Sequence, residues 1–246
     1  MQEYEWLHGT DFRGMIGLVG EESAERKLRL SACACVRRAF VKSPEAELRI
    51  AIETAEDYAD FGASKQQVKA TRRLLVAFME ETRQRQLQDK AAVPEWAWND
   101  PERAEWWPNI GTDGALERQV RLAESVLQAS RFTAESLTFI AHAVIDAGYF
   151  TSRDRPGDLS DVCDLLRDIF GNPFRPLDLP ADWCTSTAFA LAAQMYDSRD
   201  FSAMPVLADA LQDAGCEDDV ILTHCRDPKQ VHVRGCWIVD LLLGKE

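Results

Sequence analysis

Apolar residues recur at intervals of three and four along nearly the whole chain, and this spacing constrains the fold more than any other feature. Leu28, Ala32, Cys35, Val36 and Ala39 form one such stripe; Leu48, Ala51, Ile52, Ala55 and Tyr58 form the next. Side chains so spaced share one face of an α-helix, whereas a half-buried strand needs alternation in twos. The pattern returns at Val68, Leu75 and Phe78, at Leu116, Val120, Ala123 and Leu127, and at Leu137, Ile140, Ala141 and Val144. It continues at Leu159, Val162, Leu166 and Ile169, at Phe189, Ala192, Ala193 and Tyr196, and at Leu207, Ala208, Leu211 and Ala214. The expected fold is all-α, with about ten helices in an irregular orthogonal bundle or in stacked helical hairpins.

Boundary chemistry agrees with the stripes. Ser43-Pro44-Glu45 reads as an N-cap, a first-turn proline and an acid that favours the helix dipole. Ser64 with Gln67 is a capping box; Thr133 and Thr185 are further caps. Gly148, Gly171, Gly215 and Gly244 stand where stripes stop, as helix-ending glycines do. The polar run ETRQRQLQDK reads as a solvated face or a fraying helix tail. Three prolines in GNPFRPLDLPADW exclude a helix there. Strand signals are confined to Val231–Val233 and Trp237–Val239, and the apolar run from Trp237 to Leu243 fits a buried helix equally well.

Residues 91–114 differ from the rest. They hold Trp96, Trp98, Trp106 and Trp107 among three prolines, which reads as a long loop or a set of short turns. The expected organisation is an N-terminal helical part (1–90), this connector (91–114) and a C-terminal helical part (115–246), with one continuous domain as the alternative. The four indoles either cover a helical core locally or present a surface for binding another protein, because tryptophan is enriched at interface hot spots.

Charge and composition narrow the function classes. The formal net charge of −13 argues against nucleic acid, whose phosphates demand a basic surface, and against anionic membranes. No uncharged apolar run approaches the roughly 18–20 residues that span a bilayer. The opening MQEYEWLHGTDFRG has neither the basic nor the apolar region of a signal peptide. Seven cysteines, an odd number scattered through a chain with ample core, fit free thiols in a reducing cytoplasm.

Residues capable of chemistry crowd only near the C-terminus, where Cys216, His224, Cys225, His232 and Cys236 fall within DAGCEDDVILTHCRDPKQVHVRGCW. Thiolates and imidazoles are zinc ligands, and a structural site needs four of them converging. The candidate set is Cys216, His224, His232 and Cys236. None of the spacings is the tight CxxC pair. Neighbouring helical positions point about 100° apart, which sets Cys225 aside once His224 is chosen. A cysteine activated by a histidine, with Asp240 orienting the ring, is the nucleophilic alternative. A packed core with buried thiols and hydrogen-bonded histidines is the inert one. Cys33 and Cys35 diverge on their helix and read as small packing residues. Asp161, Asp164 and Asp168 share a helical face; this reads as capping and a solvated surface, with a magnesium site as the alternative. Phosphate-cradling glycine motifs, HExxH and the EF-hand loop are missing from the sequence.

The strings LLRDIFGNPFRP at 165–176, VLADALQDAGC at 206–216 and HVRGCWIVDLLLGKE at 232–246 resemble a family of uncharacterised proteins of planctomycete bacteria. The opening EWL…RKLRLSACACVRRAF resembles the start of the same family. The resemblance covers about half of the chain and implies no activity, substrate or catalytic residue. It implies that the position of Cys225 tolerates an apolar side chain. The Trp-rich middle departs from the alanine-rich helix found there in the family. The function expected is a cytoplasmic helical interaction or regulatory module, binding a protein partner through Trp96, Trp98, Trp106 and Trp107 and using no cofactor. The alternative is a metal- or thiol-dependent enzyme built on the C-terminal cluster.

Overall fold

The computed structural model describes residues 1–19, 25–39, 45–91, 113–127, 133–146, 151–152, 155–156 and 159–245. Among them run twelve α-helices: α1 (Glu3–His8), α2 (Phe12–Val19), α3 (Glu25–Ala39), α4 (Ala46–Ala59), α5 (Lys65–Ala91) and α6 (Asp113–Leu127) come first. α7 (Ala134–Asp146), α8 (Ser160–Phe170), α9 (Ser186–Ser198), α10 (Met204–Asp213), α11 (Asp219–Arg226) and α12 (Trp237–Leu243) follow. The described strands are one two-residue antiparallel pair, β1 (Thr151–Ser152) and β2 (Arg155–Pro156). The all-α expectation therefore holds. No described helix is long and apolar enough to cross a membrane.

Caps act where their chemistry predicts. The Ser64 backbone N–H donates to Gln67 Oε1 (2.7 Å) and the Gln67 N–H donates back to Ser64 Oγ (3.2 Å), opening α5. Thr185 Oγ1 accepts from the Ala188 N–H at the start of α9, and Asp218 Oδ1 accepts from Val220 and Ile221 at the start of α11. At the end of α10 the Gly215 N–H bonds the Gln212 carbonyl and the Cys216 N–H bonds the Leu211 carbonyl, a Schellman closure. Gly215, at φ 93°, supplies the left-handed residue this closure needs.

Several local expectations change. Of the two readings of the polar run after Phe78 the solvated face holds: α5 continues through it to Ala91 with most of the described side chains exposed. Residues 231–233 are not a strand and 237–239 are helical. The proline segment after Gly171 includes one 3₁₀ turn, Ala181–Trp183. Helices α1 and α2 have no counterpart in the sequence reading, because each is too short to display a repeating stripe. Ser43, Pro44, Gly148 and the four tryptophans Trp96, Trp98, Trp106 and Trp107 lie outside the described residues.

Two apolar clusters organise the packing. The larger runs from Trp6 to Leu166 and joins all of α1 to α8, so helices from both sides of segment 91–114 share one core. The smaller joins α9, α10, α11 and α12 around Tyr196, Leu211, Ile221 and Ile238. Between them stand the end of α8 and the segment 231–236. Trp6 donates its indole N–H to the Gly171 carbonyl (2.8 Å), and Arg167 donates back to the carbonyls of Trp6 and Gly9, so α1 clamps the end of α8. Gly171, at φ 65°, lies so close to Trp237 that a Cβ there would stand 3.1 Å from the indole Cγ.

A buried ionic network also ties the clusters together. Arg26 on α3 uses its guanidinium on Asp60, Asp240, Tyr196 Oη and the Lys245 carbonyl. Tyr196 in turn donates to Asp60 Oδ2 (2.6 Å). Glu56 receives a bidentate pair from Arg37 and a further bond from Arg199. Such a network costs desolvation and is retained only when its members are hydrogen-bonded, as these are.

Candidate metal centre

Four side chains from three helices and one loop converge at the junction of the two clusters. Asp168, His224, His232 and Cys236 each bring one ligand atom, and these atoms all lie within 4.8 Å of one another. Asp168 stands on the last turn of α8, His224 near the end of α11, and His232 in the segment leading to Cys236, the N-cap residue of α12. Asp168 and Cys236 are fully buried; the side chains of His224 and His232 are 11% and 8% exposed.

Of four separations, two match the edges of a single coordination tetrahedron and two fall on either side of it. His224 Nε2 lies 3.3 Å from Cys236 Sγ and 3.4 Å from Asp168 Oδ1. His232 Nδ1 lies 2.9 Å from Asp168 Oδ1 and 3.8 Å from Cys236 Sγ. With ordinary zinc–nitrogen, zinc–oxygen and zinc–sulfur bonds, the edges of a tetrahedron come to about 3.3–3.6 Å. Each imidazole also presents a single nitrogen to both the carboxylate and the sulfur. A nucleophilic triad needs the opposite arrangement, one ring nitrogen toward the thiol and the other toward the acid, to relay a proton. Convergence of this kind suits a coordination sphere better than a proton relay.

The surrounding bonds orient the ligands. The second Asp168 oxygen accepts the Val233 N–H (2.9 Å), which leaves Oδ1 for the cluster. His224 meets His232 edge-on at 4.8 Å between centroids and lies against Trp237 at 5.1 Å. His232 Nε2 is buried with no hydrogen-bond partner among the described residues. Carboxylate orientation by a backbone amide is the kind of support that metal sites use.

Electrostatics separates the acid from the thiol. Burial alone would raise the Asp168 carboxyl; hydrogen bonds from His224 and His232 outweigh it, and the group is held below the ordinary carboxylate range. Cys236 goes the other way: burial, with the nearby Asp168 charge adding to it, raises its thiol well above the ordinary value. A thiol so raised is a poor nucleophile, since the thiolate is the reactive form. A divalent cation reverses this by replacing the proton. Burial likewise pushes Cys35 and Cys225 up to about 12.

Of the candidate zinc set read as the alternative to a site without cofactor, three members converge and one does not. His224, His232 and Cys236 come together, but Cys216 does not belong to the group. The Schellman closure of α10 turns the chain at Gly215, and Cys216 is buried in the α9–α12 cluster. Asp168 stands with the other three instead. That residue read as part of a solvated acidic stripe, with magnesium as the alternative; Asp161 and Asp164 do stand partly exposed, Asp164 paired with Arg167, but Asp168 faces inward with Leu165, Leu166 and Ile169. Asp240 does not orient a histidine either, being bound to Arg26 through both oxygens. Cys225 points into the core beside Ile221 and Leu222, as the 100° offset from His224 requires.

No protein-family profile matches the chain, and no curated protein or solved structure does.

Proposed function

We propose that this chain is a cytoplasmic helical module organised by a structural zinc ion, held by Asp168 Oδ1, His224 Nε2, His232 Nδ1 and Cys236 Sγ. The observation that carries this reading is the convergence of one nitrogen from each imidazole, one carboxylate oxygen and one sulfur on a common point. Nitrogen, sulfur and a single oxygen suit zinc rather than magnesium or calcium, which take oxygen. Four protein ligands close the sphere, and a closed sphere serves architecture; a catalytic zinc keeps one position for water. Carboxylate and thiolate together carry two negative charges, which neutralise the ion in a buried setting.

The surface is then left for recognition, and an interaction or regulatory role follows better than catalysis. No disulfide links the described cysteines, which supports a reducing compartment. The test is metal analysis of protein purified without an affinity metal column, followed by cobalt substitution. One zinc per chain and the intense visible bands of tetrahedral cobalt with a thiolate charge-transfer band are expected. Cys236→Ser abolishes the charge-transfer band. No stoichiometric metal, or an unchanged cobalt spectrum in that variant, overturns the reading.

A further inference from the structure

Two of the four ligands bracket a tight turn, and the tip of that turn carries an arginine that reaches the other half of the molecule. The Cys236 N–H donates to the Val233 carbonyl (2.9 Å), closing a four-residue turn with Arg234 and Gly235 at its centre. Gly235, at φ 96°, occupies the third position, where a type II turn requires positive φ. His232 precedes the turn and Cys236 ends it. Both stems are therefore fixed by the proposed ion, and the Val233 amide is fixed on the ligand Asp168.

Arg234 meets α4. Its Nη1 lies 2.9 Å from Asp57 Oδ1, its Nε and Nη2 lie 3.0 and 2.7 Å from Asp60 Oδ2, and Glu56 stands 3.8 Å away. Its guanidinium stacks on the Tyr196 ring at 4.7 Å from the centroid. Gly235 presses on α3: a Cβ there would come within 2.8 Å of Leu30 Cδ1. A planar fork that bonds two carboxylates while lying on an aromatic face has one productive position, and displacement of the turn stems takes it away.

We propose that metal binding and the docking of Arg234 on α4 are one coupled event: the ion acts as a latch that joins α3–α4 to α9–α12. This rests on the zinc reading of the four ligands. Binding linkage is reciprocal, so whatever the ion does for the Arg234 contacts, those contacts do for the ion. Removing the arginine must weaken zinc although Arg234 touches no ligand atom.

The experiment measures zinc affinity of the full chain by competition with a chromophoric chelator, for wild type, Arg234→Gln and Asp57→Asn. Asp57 is half-exposed, so its variant perturbs the latch without emptying the core. Arg234→Gln is expected to weaken zinc on the order of ten-fold, within the usual range of coupling between sites, and Asp57→Asn by less. Hydrogen exchange with and without zinc gives the second readout: zinc slows exchange in residues 46–59 of the wild type, and this slowing disappears in Arg234→Gln while slowing in 219–240 persists. Equal zinc affinity in all three proteins, with α4 exchange indifferent to zinc, overturns the latch but leaves the zinc site standing. A wild type that binds no zinc overturns both.

Discussion

Chelation followed by zinc titration probes the centre most directly, because the stabilisation is set by mass action. An ion that binds the folded chain alone contributes about 2.7 kcal/mol at a free concentration 100 times its Kd and about 4.1 kcal/mol at 1,000 times. At a given multiple of Kd the increment is fixed by that ratio alone; ligand atoms already within 4.8 Å of one another act on Kd, by reducing the ordering that binding requires. For a chain of 246 residues each kcal/mol moves the midpoint by about 2–4 °C. Zinc at 1,000 times its Kd should therefore raise Tm by roughly 8–16 °C, read by differential scanning fluorimetry on the chelator-stripped protein. His224→Ala, which removes the most exposed of the four ligands, should lose most of the increment while shifting the metal-free midpoint little. Magnesium at the same excess should do nothing. A zinc increment that survives in His224→Ala would refute the assignment of that ligand; no increment in wild type would refute the site.

Asp60 makes a pH prediction. Burial pushes its carboxyl up, but hydrogen bonds and charge from Tyr196, Arg26 and Arg234 outweigh burial and hold it below the ordinary value. A folded-state pKa below the unfolded one means stability present above about pH 4 and lost as pH falls through the folded value. Asp60→Asn should therefore lower stability at neutral pH and flatten the acid limb of a urea-midpoint profile; an unchanged acid limb would show that other carboxylates dominate it. Asp240 contributes with opposite sign, since burial raises it despite Arg26. Asp218→Ala removes the acceptor for two amides at the start of α11 and should cost about 0.5–2 kcal/mol by chemical denaturation. A loss beyond that range would place Asp218 in the metal centre's support rather than in the cap alone.

The helices were legible because each long element carries its own apolar stripe and its own cap, both written locally. Ser64, Thr185 and Gly215 act where they stand in the sequence, whatever the rest of the chain does. Helices α1 and α2 escaped because six and eight residues are too few for a period of 3.6 to show. The centre divides in the same way. His224, His232 and Cys236 were visible by residue type within one short stretch. Asp168, 64 residues before His232, was visible only with Asp161 and Asp164, as a magnesium alternative, and not as a neighbour of the histidines. A carboxylate on a helix reads as solvated unless something says which face is buried, and here that is settled by α8 packing against α2, α3 and α12 at once. Cys216 misled for the complementary reason: proximity in sequence says nothing about direction after a left-handed glycine.

The tilted contact of His224 with Trp237 has an optical consequence. The two rings lie 5.1 Å apart at a tilt of 48°, and the indole is 9% exposed. An excited indole that touches an imidazole loses emission to it, by an amount that depends on whether the imidazole holds a proton, a metal or neither. Trp237 thus carries a built-in gauge of the state of one ligand. The difference in emission between wild type and Trp237→Phe isolates that gauge from the other six tryptophans. Occupancy of the centre can then be followed in real time on unlabelled protein.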